Sequence, residues 1–190
     1  MMPAPSITRQ VVAALNQAGI PHMLVGAFAR NYYAEPRSTK DADLVLGVTV
    51  GSFRTLLDSL GPGFRLDEQM AFETNTGTLK NVVVHAESGF TVELFYLSDD
   101  AHDQERFKRR RATNYEGQPT FVLTAEDYIV TKLRWPRSKD FDDVRDVIAM
   151  QGDALDWNYI HRWADAHGSR AKLDRVRASI PPRPGGTAKS

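Results

Sequence analysis

The run Asp41-Ala42-Asp43-Leu44-Val45-Leu46 sets two acids one residue apart at the entrance of an apolar segment. Strand interiors are poor in Asp, and a carboxylate is costly to bury without a partner. In a strand, side chains at i and i+2 share a face, with Cα atoms roughly 6.5–7 Å apart. Asp41 and Asp43 would therefore aim two carboxylates at one point, with Ala42 turned to the other layer. Two such groups repel, and a cation between them removes that cost. Mg²⁺, which takes hard oxygen ligands, suits the pair. An exposed strand end or a capped turn also explains an isolated D-x-D, so a site requires further groups.

A third acid lies in Phe90-Thr91-Val92-Glu93-Leu94-Phe95-Tyr96-Leu97, where Glu93 is the lone charge in a strongly β-forming run. Three acids on adjacent strands can hold two metals about 3.5–4 Å apart, an arrangement used for in-line phosphoryl displacement. An edge-strand charge is the plainer alternative for Glu93. Upstream, Gly26-Ala27 follows the apolar run His22-Met23-Leu24-Val25 and opens a short helical segment. A glycine at such a junction lets backbone N–H groups approach a phosphate, and a helix N-terminus favours the anion.

Hydrophobic periodicity and stop signals order the rest of the chain. A helix is expected from Ser6 through Val11, Val12 and Leu15 to Gly19, and a brief one over 27–34, broken before Pro36. The spacing of Phe53, Leu56, Leu57 and Leu60 predicts another, closed by Gly61-Pro62-Gly63. Beyond Phe64 the pattern turns to strands, with hairpins around Glu87-Ser88-Gly89 and Glu116-Gly117 on either side of a charged helix over 101–111. The last third reads as helices capped by Thr124, Ser138 and Asp156, with a final one near Ser169–Ser179. The expected class is α/β (α+β): a mixed sheet flanked by helices over 1–123, a helical segment packing on it over 124–180, and a disordered tail over 181–190.

The 190 residues balance 24 Lys and Arg against 24 Asp and Glu, so no global field draws the chain to nucleic acid or membrane. With no cysteine, disulfides, thiolate metal sites and cysteine nucleophiles are excluded. No apolar run approaches the roughly 20 residues that cross a bilayer, and a cytoplasmic protein without a membrane partner is expected.

The ordered set Gly26-Ala27, Arg37, Thr39, Asp41-Ala42-Asp43 and Glu93 resembles the nucleotidyltransferase superfamily related to DNA polymerase β. The short forms look closest, the minimal nucleotidyltransferases and the AbiEii-type toxin transferases, whose R-x-T-x-D-x-D-L string reads here Arg37-Ser38-Thr39-Lys40-Asp41-Ala42-Asp43-Leu44. The segments 123–135 and 138–149 are similar to the helical part of those relatives. The resemblance implies a nucleotidyltransferase-fold sheet and transfer of a nucleoside monophosphate from an NTP to a hydroxyl of RNA, protein or a small molecule. It also implies Mg²⁺ on Asp41, Asp43 and Glu93, and phosphate contacts from Gly26, Ala27, Arg37, Thr39 and Lys132. A toxin–antitoxin or defence setting, with a toxin or antitoxin partner, follows by the same route. Ala27 departs from the usual Ser or Gly and has no hydroxyl to offer, and Glu93 is one methylene longer than the usual Asp. Those departures suit the alternative of a non-catalytic binding or antitoxin module.

Other features have two readings each. Lys132 could neutralise a triphosphate or be a solvated helix lysine, and Asp140 could pair with it. Phe107-Lys108-Arg109-Arg110-Arg111 could grip an RNA backbone or be a solvated helix end. Trp135, Trp157 and Trp163 fall at helical positions and are expected in a core or an interface.

Overall fold

The computed structural model describes residues 4–47, 53–67, 71–73 and 78–181. The chain divides into two compact units, Met1–Thr124 and Ala125–Ser190. The expected tail falls, from residue 182 on, outside the described residues.

The first unit opens with α1 (Ala4–Gln17), which buries Ile7, Val11, Val12 and Leu15 at the expected spacing. It then turns at Gly19, whose φ of +65° suits glycine. There follow β1 (His22–Leu24), α2 (Gly26–Tyr33), β2 (Asp41–Leu46), α3 (Phe53–Leu60), β3 (Phe64–Leu66), β4 (Ala71–Glu73), β5 (Thr78–His85) and β6 (Thr91–Tyr96). The unit closes with α4 (Ala101–Arg109), β7 (Arg111–Tyr115) and β8 (Gln118–Val122).

Among the described residues these strands form one eight-stranded sheet in the order β3-β5-β6-β2-β1-β8-β7, with β4 also paired to β5. Strand β2 sits inside it, antiparallel to β1 and parallel to β6. Its burial answers the puzzle of its composition. Ala42, Leu44, Val45 and Leu46 are buried, so the strand's later half is covered on both faces. Asp41 and Asp43 stay partly exposed at the earlier end, where one face is open. Full burial of each leucine favours the fold by about 1.5–3 kcal/mol, which holds the strand centrally despite its acids.

The hairpin expected at Glu116-Gly117 is present. Both residues have positive φ, +47° and +85°, as the tight turn that matches strand twist requires. The charged helix ends earlier than its composition suggests: α4 stops at Arg109, and Arg111 already pairs with Val122 in the β7–β8 ladder. The basic run is therefore divided between a helix end and a strand. Phe107 is buried, and the Arg110 guanidinium lies over the Phe107 and Phe121 rings, at 4.2 and 4.6 Å from their centroids. That residue is a packing element as well as a charge.

The second unit contains α5 (Ala125–Arg134), α6 (Ser138–Gln151), a 3₁₀ turn at Gly152–Ala154, α7 (Trp157–Ala166) and α8 (Arg170–Ala178). Tyr128, Ile129, Leu133, Val144, Val147, Ile160 and Leu173 are buried. Asp156 caps α7 as expected, accepting from the Tyr159 amide at 3.0 Å. The Tyr159 hydroxyl in turn donates to buried Asp127 at 2.6 Å. At α6 the cap differs from expectation. The Ncap is Arg137 rather than Ser138, and the Asp140 carboxylate reaches back to its amide at 2.8 Å. An acid at the third helical position satisfies that orphan donor better than a serine already inside the helix.

The tryptophans, expected in a core or an interface, are not fully buried. Trp135 is exposed and Trp157 and Trp163 are half-buried. Guanidinium groups lie over all three, Arg134 at 4.1 Å from the Trp135 ring, Arg177 at 4.0 Å from Trp157 and Arg162 at 5.2 Å from Trp163. Among the described residues, no helix is long and apolar enough to cross a membrane.

Candidate active site on the central strands

The register of β2 against β6 decides which acids meet. Asp41 is paired with Thr91 and Asp43 with Glu93. Adjacent strands lie about 4.8 Å apart, so Asp43 and Glu93 are direct lateral neighbours whose side chains leave the same face. Asp41, two residues earlier, shares that face. Each of the three is partly exposed, while Ala42, Val92 and Leu94 are buried on the opposite side. Three carboxylates from two strands thus open on one accessible patch.

Gly26 closes the patch from the side of α2. The Val25 amide donates to the Asp43 carbonyl at 2.9 Å, tying the start of α2 to β2. Gly26 has a φ of +56°, and a Cβ there would come within 1.9 Å of the Asp43 Oδ2 atom. A side chain there is strained by the backbone conformation and would have to push the Asp43 carboxylate aside. Val25 at the Ncap has no polar side chain with which to cap α2. The first-turn amides at Gly26 and Ala27 therefore have no capping oxygen from that residue, and they open beside Asp43.

The loop between α2 and β2 is held from within. Pro36 keeps Glu35 out of the helical region, and the Arg30 guanidinium donates to the Glu35 carbonyl. The Asn31 side chain brackets the Arg37 backbone, donating to its carbonyl at 2.7 Å and accepting from its amide at 3.1 Å. Thr39 then donates its hydroxyl to the Asp41 Oδ1 atom at 2.8 Å and fixes that carboxylate. Arg37 itself is exposed on this loop.

Lys132 belongs to the helical unit. Its ammonium lies 2.9 Å from Asp140, a buried carboxylate that also accepts from the Arg137 amide and Nε. The Lys132–Asp140 pairing anticipated from the sequence is formed.

One charged residue at the patch is missing from the sequence pattern. Lys80 on β5 places its Nζ 2.8 Å from the Glu93 Oε2 atom. The signal that carries it is hairpin register. Pairs Val84–Thr91, Val82–Glu93 and Lys80–Phe95 put every second β5 residue on the Glu93 face. In a run spelled Thr78-Leu79-Lys80-Asn81-Val82, nothing local marks that lysine.

Solved structures share this architecture. The antibiotic-resistance factor ANT(2'')-Ia superposes with a TM-score of 0.60 at 15% identity, over 92% of this chain and 96% of that one. An antigenic nucleotidyltransferase-like protein from Paracoccidioides brasiliensis gives 0.54 at 21% identity, over 93% and 94%. The lincosamide antibiotic adenylyltransferase LnuA, in a lincomycin-bound structure, gives 0.53 at 12% identity, over 76% and 96%. The fold is that of the nucleotidyltransferases. No protein-family model matches the sequence, and no curated protein does. At these identities the likeness establishes the nucleotidyltransferase fold.

Proposed function

We propose that this chain is a Mg²⁺-dependent nucleotidyltransferase, moving a nucleoside monophosphate from an NTP to a hydroxyl and releasing pyrophosphate. The observation that carries the reading is the register pairing Asp43 with Glu93, with Asp41 on the same face and Gly26 packed against Asp43. Three hard oxygen donors on one partly exposed face are of the chemistry a divalent cation takes, and Asp41, Asp43 and Glu93 would hold it. When bound, it would withdraw charge from the phosphates and favour ionisation of the acceptor hydroxyl.

The chain's own groups divide the remaining work. The first amides of α2, at Gly26 and Ala27, meet the triphosphate, and with no hydroxyl on Ala27 the backbone carries that contact. Thr39 holds Asp41 in one rotamer, so the carboxylate needs no reorganisation during reaction. Arg37 is the cation assigned to the phosphates. Glu93 accepts the acceptor's proton as the new O–P bond forms at the α-phosphorus, and the bond to the bridging oxygen breaks in line, leaving pyrophosphate.

Two neighbours act on or carry resistance to antibiotics, which supports a small hydroxyl-bearing molecule as acceptor. The string over Arg37–Leu44 supports an RNA or protein acceptor in a toxin–antitoxin setting. The test uses NTPs labelled at the α-phosphate, ATP first, offered to aminoglycosides, lincosamides, total RNA and protein. Asp41→Ala and Asp43→Ala each abolish labelling while circular dichroism stays native. Labelling at wild-type level by both variants would overturn the reading. Mg²⁺-dependent NTP binding with no labelled product in any panel would replace it with a non-catalytic nucleotide-binding module.

A further inference from the structure

The acidic patch contains its own cation. Lys80 and Glu93 sit on neighbouring antiparallel strands one diagonal step apart, since Glu93 pairs with Val82 and Lys80 with Phe95. The Lys80 ammonium leans along the strand to reach Glu93 Oε2 at 2.8 Å, and lies 5.4 Å from the Phe95 ring centroid. The Lys80 side chain is 15% exposed and that of Glu93 26%, so water screens the pair less than it screens a surface ion pair. Glu93 is in turn the lateral neighbour of Asp43. One ammonium thus faces a carboxylate that the proposed metal would also need.

We propose that Lys80 is an internal cation that competes with the divalent metal for Glu93 and so sets the metal requirement of the site. The inference rests on the assignment of Asp41, Asp43 and Glu93 as metal-holding acids. In the metal-free chain Lys80 offsets part of the repulsion among three carboxylates on one face. A divalent ion entering the patch must share Glu93 with the ammonium or displace it, and the two positive charges oppose each other. Lys80 acts through Glu93, as a positioning residue, and its removal changes metal affinity and metal-free stability in opposite directions.

The experiment measures Mn²⁺ affinity without nucleotide by electron paramagnetic resonance, and melting temperature in EDTA and in Mg²⁺, for wild type, Lys80→Met and Lys80→Arg. Methionine keeps the packing against Phe95 and removes the charge. Lys80→Met is expected to bind Mn²⁺ about tenfold more tightly, to melt lower in EDTA, and to regain most of that loss in Mg²⁺. Lys80→Arg is expected to behave as wild type. Wild-type Mn²⁺ affinity in Lys80→Met overturns the inference, as does an equal loss of stability, or a failure to fold, with and without metal. Mn²⁺ binding of equal strength in wild type and Lys80→Met removes the inference alone. No Mn²⁺ binding by any of the three chains removes it together with the metal reading of the acids.

Discussion

Acids crowd two places in this chain, the start of α6 and the paired strands β2 and β6, and they meet different ends. In α6 the sequence supplies four aspartates within seven residues, Asp140, Asp142, Asp143 and Asp146. Asp140 is buried, yet donors from Arg137 and Lys132 surround it. Burial alone would push its carboxyl toward protonation, but the Arg137 amide bond and the side-chain bonds from Lys132 and Arg137 outweigh burial and hold it below the usual range. Asp142 is exposed and makes an ordinary surface pair with Arg145 at 3.1 Å. On β2 and β6 three carboxylates share a face, met by the Thr39 hydroxyl at Asp41 and the Lys80 ammonium at Glu93. The difference is one of backbone. A helix start has free amides and nearby side chains that satisfy its acids locally. A strand spends its amides in the ladder, so a row of like charges must be satisfied from elsewhere.

Neutralising an acid therefore has opposite consequences in the two places. The largest effect is on activity. Asp43→Asn should lower labelled-nucleotide transfer about a thousandfold or more, several kcal/mol of lost charge stabilisation, while its metal-free melting temperature stays level or rises. A clear fall in that temperature would make Asp43 a structural residue like Asp140. The largest effect on stability belongs to the helical unit. Asp140→Ala should cost about 3 kcal/mol in chemical denaturation, the low end for breaking a buried pair, because Lys132 keeps some access to water. A loss below about 1 kcal/mol would show that the cluster's donors find water without penalty.

Gly26→Ala tests the close approach between α2 and β2. Strain at positive φ costs about 1–3 kcal/mol, and the added methyl must displace the Asp43 carboxylate. Transfer should therefore fall further than a stability loss of that size explains, read as kcat against melting temperature. Acid sensitivity offers a subtler separation. His22 is buried, bonded to the Ile20 carbonyl and to Thr120. Burial, opposed by the Ile20 bond and aided by nearby Arg110, lowers its proton affinity. Its stabilising neutral form is complete above the unfolded value near ~6.5 and is lost as pH falls through the lower folded value. Asp140, also depressed, keeps its contribution until pH falls below ~3.9 and toward its own lower folded value. Melts from neutral to strongly acid pH should weaken the sheet unit first. Asp142→Ala is the smallest change, within about 0.5 kcal/mol.

Much of this arrangement was legible in the order of residues. The i, i+2 spacing of Asp41 and Asp43 carries their common face, because side chains alternate along any strand. Gly26 after an apolar run marked the strand–helix junction, and the hairpins at Glu87–Gly89 and Glu116-Gly117 followed from turn chemistry. At α6 Ser138 is the better isolated cap, and only the reach of the Asp140 carboxylate to the Arg137 amide makes Arg137 the Ncap. Helical position left the tryptophans to a core or an interface, and in the structure each lies beneath a guanidinium group and none is fully buried.

Sequence by itself determined the local geometry, that is, which side chains share a face, where elements stop and where backbone must bend the left-handed way. These depend on sterics and hydrogen bonds within a few residues. Tertiary structure alone decided that Asp43 pairs with Glu93, fifty residues away, that the Gly26 backbone abuts the Asp43 carboxylate, and that Lys80 reaches the acidic face. Strand order and register are set by the burial of whole sheets, a global free energy that no short stretch of sequence encodes.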